Sequence, residues 1–165
     1  MKQVMYDRNQ VGWMEQELAD IGIEPLVSET QVDNFLQDKE GTALLIFNSV
    51  CGCAAGNARP GAGIALQNNR IPDRCATVFA GVSVDAVAKA RNFISDVPPS
   101  SPSMALFKEG ELVYFLPRSE IEGFSYEEVA QKLTTAFDEH CTKEGPMVSI
   151  EQLKEAFNRD DKMPR

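Results

Sequence analysis

Phe47-Asn48-Ser49-Val50-Cys51-Gly52-Cys53-Ala54-Ala55-Gly56 holds two thiols one glycine apart, set where one pattern of apolar residues gives way to another. Upstream, Thr42 to Val50 contains Ala-Leu-Leu-Ile-Phe without alternation, the pattern of a strand buried on both faces at the centre of a sheet. Downstream, Ala54 to Gln67 has the small-residue composition of a helix, with Gly56, Gly61 and Gly63 weakening it and Pro60 expected to kink or split it. A strand feeding a helix leaves unpaired N–H groups and a partial positive charge at the helix start, and both favour a thiolate. Cys51 is therefore the candidate nucleophile and Cys53 its partner.

Two residues of extended chain span ~6.6 Å between Cα atoms, at the edge of the ~4.4–6.8 Å that a disulfide accepts. Gly52 is expected to supply the backbone freedom for closure. Spacing alone leaves three readings open: a redox pair, a bidentate grip on a soft metal such as zinc or copper(I), or two inert buried thiols.

Working outward, Ala76 to Gly81 reads as a second buried strand, parallel to the first because a helix lies between them. Val11, Met14, Leu18 and Ile21 mark a helix over residues ~9–21. Ser28 with Gln31 opens a short helix, and Ile23 to Val27 is a minor strand candidate. Val84, Val87, Ala90 and Ile94 mark another helix, followed by an irregular segment bearing Pro98, Pro99 and Pro102. Met104 to Lys108 and Glu111 to Leu116 flank Glu109-Gly110, a tight hairpin turn expected to lie antiparallel to the central strand. Ser125 with Glu128, and Ser149 with Gln152, are capping boxes. The first opens a helix facing inward through Val129, Leu133, Ala136, Phe137 and His140; the second opens one presenting Leu153 and Phe157. Arg159 to Arg165 reads as a frayed tail.

The 165 residues are 43% hydrophobic and 25% charged, which suits one globular domain with its own core. Residues 1–145 form its body, and residues 146–165 are a helical extension of it. A net charge of −9 makes nucleic acid an improbable partner. No apolar run reaches the ~20 residues of a membrane helix, so no membrane partner is expected. The N-terminal residues lack the apolar core of a secretory signal, and the reading is cytoplasmic. Four cysteines are too few for a disulfide scaffold; in a reducing compartment a close pair is more often catalytic or metal-binding.

Ser101-Pro102-Ser103-Met104-Ala105-Leu106-Phe107-Lys108-Glu109-Gly110 is similar to the cis-proline strand and hairpin of thioredoxin-fold proteins. That resemblance implies a cis Pro102, with Ser101 backbone facing Cys51 and available to an extended substrate chain. Together with Asn57-Ala58-Arg59-Pro60, Phe79-Ala80-Gly81, Pro117-Arg118, Glu120-Ile121-Glu122-Gly123 and His140-Cys141, the motifs from about Met14 to Cys141 resemble the bacilliredoxin family. The resemblance implies an α/β, thioredoxin-like fold: a mixed central sheet flanked by helices, here with an extra C-terminal helix. It implies a thiol-disulfide oxidoreductase active in cell redox homeostasis, with a redox-active disulfide at its Cys-Gly-Cys motif, that removes bacillithiol from mixed disulfides on oxidised client proteins.

In that scheme Cys51 attacks, Cys53 resolves, bacillithiol is the co-substrate, and neither a bound cofactor nor a metal is required. Gly52, Ser101, Pro102 and Arg59 would contact substrate, Arg59 as a partner for the thiolate or a bacillithiol carboxylate. A general disulfide reductase or isomerase and a soft-metal-binding protein are the alternatives. Leu45 and Ile46 stand where thioredoxins bury a carboxylate, so proton exchange at Cys53 needs water or another group. Asn48, Ser49 and Asn57 are candidates to orient the cysteine loop, while Cys75 and Cys141 read as inert.

Overall fold

The computed structural model describes residues 3–158; the expected frayed tail, Arg159 to Arg165, lies outside them. The chain runs α1 (Arg8–Ala19), β1 (Glu24–Pro25), α2 (Glu29–Gln37), β2 (Thr42–Asn48), a π-helical turn (Ala54–Ala58) and α3 (Arg59–Ala65). It continues through β3 (Arg70–Ile71), β4 (Arg74–Phe79), α4 (Val84–Asn92), β5 (Ser103–Lys108) and β6 (Glu111–Leu116). A 3₁₀ turn (Arg118–Glu120), α5 (Tyr126–His140), β7 (Lys143–Glu144) and α6 (Ile150–Ala156) complete it.

The main sheet has the order β1-β4-β2-β5-β6. β1, β4 and β2 are parallel, and the β5–β6 hairpin is antiparallel to β2, as expected. β2 shows why its sequence lacks alternation. Leu44 and Ile46 face a core shared with α1, α3, α5 and α6, whereas Ala43, Leu45 and Phe47 face a second core under α2 and α4. Both faces are covered, so every position is apolar or satisfied. The hairpin turn places Glu109 and Gly110 at φ 53° and 83°, the left-handed pair that a two-residue turn requires.

Both later capping boxes form in full, at Ser125/Glu128 and Ser149/Gln152. At α2 the box is shifted: Ser28 caps Gln31, but the Gln31 side chain reaches back to the Val27 N–H. A separate two-stranded pairing of β3 with β7, absent from the sequence reading, ties the segment after α5 to the chain between α3 and β4. Beyond it, Leu153 and Phe157 pack on the α1–α3–α5 core, and Ala156 is buried there.

The helix after the cysteines is split, and Pro60 explains where. It has no N–H to offer Gly56, and the turn before it slips to five-residue spacing, with the Arg59 N–H reaching the Ala54 carbonyl. Gly61, on α3, lies so close to α5 that a Cβ there would sit 2.7 Å from Val129 Cγ1 and 3.0 Å from the Tyr126 carbonyl oxygen.

Candidate active site

β2 delivers Cys51 just past the C-terminal edge of the sheet, and the turn into α3 brings Cys53 back beside it. Their sulfurs are 2.7 Å apart and unbonded. Both thiols are half-buried, and Gly52 between them is exposed. Gly52 does not occupy a left-handed conformation, and a Cβ there would meet nothing within 4 Å. The expected need for glycine's backbone freedom is therefore not visible in the reduced turn, and a side chain at this position would stand in open space.

The two thiols are inequivalent. Partial burial pushes Cys51 up, but hydrogen bonds from the Cys53 thiol, the Ser49 hydroxyl and the Ala54 N–H, with the Arg118 charge, outweigh it and hold Cys51 below its ordinary value. Cys53 is pushed up to about 11 by burial, by its hydrogen bond to Cys51 and by that sulfur's charge, with Glu122 adding to the rise and Arg118 opposing it. The pair is thus unequal in acidity: Cys51 is the sulfur that loses its proton first, and Cys53 the one that keeps its hydrogen.

The loop that sets this geometry is anchored from below. Asn48 is buried; its Oδ1 accepts from the Ser49 N–H at 2.9 Å and from Arg59 Nη1 at 3.1 Å, while its Nδ2 donates to the Met14 carbonyl at 3.1 Å. Ser49 Oγ accepts from the Cys51 N–H at 3.3 Å. Asn57 Nδ2 donates to the Ile121 carbonyl at 3.0 Å, tying the cysteine helix to the turn after β6. Asn48, Ser49 and Asn57 therefore all orient the loop.

Arg59 departs from its expected place. It is fully buried, its Nε bonds Glu17 Oε2 at 2.8 Å, and its Nη1 also donates to the Ser49 carbonyl at 3.0 Å. Glu17 is equally buried, and the Trp13 ring lies 5.9 Å from the Arg59 guanidinium carbon. A cation locked beneath the loop does not meet substrate, so its role is to hold the Ser49 backbone that leads into Cys51. Its partner Glu17, on α1, was not foreseen; on β2, Leu45 and Ile46 are apolar and buried.

The cation whose charge acts on both sulfurs is Arg118. Its Nη1 donates to the Ser101 carbonyl at 3.2 Å, its N–H to Ser100 Oγ at 3.3 Å, and its Nε to Glu122 at 3.0 Å. The Ser101–Pro102 peptide is cis, as the resemblance implies, and Phe47 pairs with Ser103 to set this loop beside the end of β2. The Ser101 carbonyl, expected to be open to substrate, already accepts one bond from Arg118. A further cis bond, Gly145–Pro146, was not anticipated.

Away from this turn, Cys75 is pushed up to about 12, by burial and then by neighbouring Cys141. Burial likewise raises Cys141. Both behave as core residues. His140 is half-buried beside Glu139 rather than fully inward. Among the described residues no group of three or more His, Cys, Asp or Glu could hold a metal ion, and no helix is long and apolar enough to cross a membrane.

A solved structure described as an oxidoreductase with a thioredoxin fold superposes with a TM-score of 0.51 at 19% identity, covering 67% of this chain and 92% of that one. The disulphide isomerase family model matches residues 6–141. A bacilliredoxin of Halalkalibacterium halodurans is 48% identical over 136 residues, 82% of this chain and 94% of that protein. One of Shouchella clausii is 49% identical over 138 residues, 84% and 95% of the two chains. One of Bacillus cereus is 48% identical over 137 residues, 82% and 95%. With a thioredoxin-like fold, paired thiols at the sheet edge and these relatives, the chain belongs to the bacilliredoxin family and is a thiol-disulfide oxidoreductase.

Proposed function

We propose that this enzyme removes bacillithiol from mixed disulfides on oxidised proteins, with Cys51 attacking and Cys53 resolving. The observation that carries the division of labour is the unequal acidity of two sulfurs in contact, one held below the ordinary thiol value and the other raised to about 11. The thiolate of Cys51 attacks the bacillithiol sulfur; a Cys51–bacillithiol disulfide forms, the client S–S bond breaks, and the client leaves as a thiolate that takes up a proton. Cys53 then loses its proton and attacks Cys51 Sγ, expelling bacillithiol as a thiolate and leaving a Cys51–Cys53 disulfide. Two electrons pass from the dithiol to the mixed disulfide. Two reduced thiols or a reductase must return them before the next turnover.

Once Cys51 is bonded to bacillithiol its negative charge is gone, so the second and third causes that raise Cys53 vanish and it ionises more readily. Nucleophile and resolver are thus used in the order their acidities dictate, and no bound cofactor or metal enters. Gly52, exposed and without a side chain, leaves the approach to the cysteine turn open, and Ser101 and Pro102 flank the incoming chain. Such exchange suits the cytoplasm, where low-molecular-weight thiols are kept reduced.

Intact-mass measurement after exposure to a bacillithiolated protein tests this. Cys53→Ala should accumulate one bacillithiol on Cys51, and Cys51→Ala should form little adduct. An adduct on Cys53 with Cys51 free would reverse the roles; equal activity on glutathione mixed disulfides and ordinary protein disulfides would replace the substrate with a general one.

A further inference from the structure

We propose that Arg118 is the anion-binding group of this active site and selects mixed disulfides whose small thiol carries a carboxylate. The inference rests on Cys51 as the attacking sulfur and names the substrate feature that site takes.

Arg118 is held at the meeting point of the loops that flank the sulfurs. Its backbone and Nη1 engage Ser100 and Ser101 of the cis-proline loop. The turn it belongs to is fastened through the Ile121 carbonyl to Asn57, on the turn that follows Cys53. Nε is taken by Glu122, yet Nη2 has no partner among the described residues, and the side chain is 41% exposed. Nη2 is therefore the part of a braced guanidinium left to an incoming anion, on a side chain whose charge acts on both sulfurs, and a carboxylate suits it.

Charge balance across the reaction gives that edge a purpose. In the reduced enzyme the Cys51 thiolate and Glu122 both lie near Arg118. When the small thiol is transferred to Cys51, the thiolate charge departs with the client sulfur and the guanidinium loses one of its two anions. A carboxylate borne by the transferred thiol restores that balance; a neutral or cationic thiol does not. The rest of the protein works the other way, since a net charge of −9 repels anions at range, and a cation fixed at the reaction centre is what admits an anionic thiol.

The test uses one client peptide carrying in turn 3-mercaptopropionate, 2-mercaptoethanol and cysteamine as the mixed-disulfide thiol, with transfer to Cys51 timed in Cys53→Ala protein. Loss of the Arg118 charge makes Cys51 less acidic toward all three, so the ratio of the carboxylate rate to the hydroxyl rate isolates recognition. Arg118→Gln should lower that ratio about 10- to 100-fold, the worth of a charge-assisted hydrogen bond, and should favour the ammonium thiol. Arg118→Lys keeps the charge without the planar guanidinium braced by Ser101 and Glu122 and should lower it by about 3-fold. A ratio unchanged in both variants overturns the proposal while leaving the enzyme's reading intact. No transfer of any of the three thiols to Cys51 in the parent protein overturns both. Should Arg118→Gln lose its folded far-ultraviolet signature, the Lys variant alone decides.

Discussion

Two arginines serve the cysteine turn from opposite sides. Arg59 lies beneath it, fully buried, its guanidinium shared among Glu17, Asn48 and the Ser49 carbonyl. Arg118 lies above it, two-fifths exposed, its charge acting on both sulfurs. Composition does not separate them, and burial does. A buried cation must be neutralised where it stands, so its bonds are spent on the Glu17 carboxylate, Asn48 and the Ser49 carbonyl. An exposed one is free to respond to the thiolate and to what arrives there. The underside therefore sets position, and the outer face sets reactivity.

Breaking the underside should have the largest effect. Glu17→Gln leaves Arg59 buried beside a neutral amide, and loss of one partner of a buried pair costs about 3–5 kcal/mol. Urea unfolding should show the midpoint falling with little change in slope. Removing both charges in Glu17→Gln/Arg59→Met should recover part of the loss. Cys51 alkylation at fixed pH should change less than in Arg118→Gln; an equal or larger change would merge the two sides into one function.

Gly61→Ala presses on the same helix without touching Arg59's partners. The added methyl meets the β-branched Val129 and a backbone oxygen, neither of which yields easily. Overpacking of about 1–3 kcal/mol outweighs a helix-propensity gain of up to about 1 kcal/mol, so thermal stability should drop modestly. Cys51 reactivity should stay put, and a shift there would mean that α3 position, rather than the outer charge, tunes the thiolate.

The elements that proved legible carry their cause locally. Five apolar residues in a row at Ala43 to Phe47, a serine three residues before a glutamate at Ser125, and glycine after Glu109 each announce a structure built from neighbours in sequence. Glu17 and Arg59 are 42 residues apart, and an isolated glutamate on a helix reads as solvated until its partner is known. The same limit hid Arg118: its sequence neighbours gave a family motif, but only the fold sets it against Ser101, 17 residues earlier. β3 and β7, two residues each, have no periodicity to detect.

On the outer face, the difference between the two thiols should appear in a pH series. Cys51 is depressed, so its thiolate persists below the pH at which an ordinary thiol of 9.0 gains its proton, and is lost as pH falls through the lowered value. Cys53, at about 11, stays protonated across the neutral range. Limited alkylation of reduced protein with site assignment by peptide mass should label Cys51 first at every pH below about 9. Preferential labelling of Cys53 would invert the outer face.

Ser49 joins the two sides and offers the finest cut between them. Its carbonyl accepts from Arg59 below, and its hydroxyl supports Cys51 above. Ser49→Ala keeps the carbonyl and deletes the hydroxyl. A hydrogen bond of about 0.5–1.5 kcal/mol corresponds to a rise of up to about one pKa unit at Cys51. The alkylation midpoint should move upward by that amount, cutting the thiolate fraction near pH 7 by up to about tenfold, whereas unfolding free energy should change by less than about 1 kcal/mol. If stability fell and the midpoint stayed, the hydroxyl would belong to the underside, bracing the loop rather than tuning the sulfur, and the thiolate would rest on Cys53, the Ala54 N–H and Arg118.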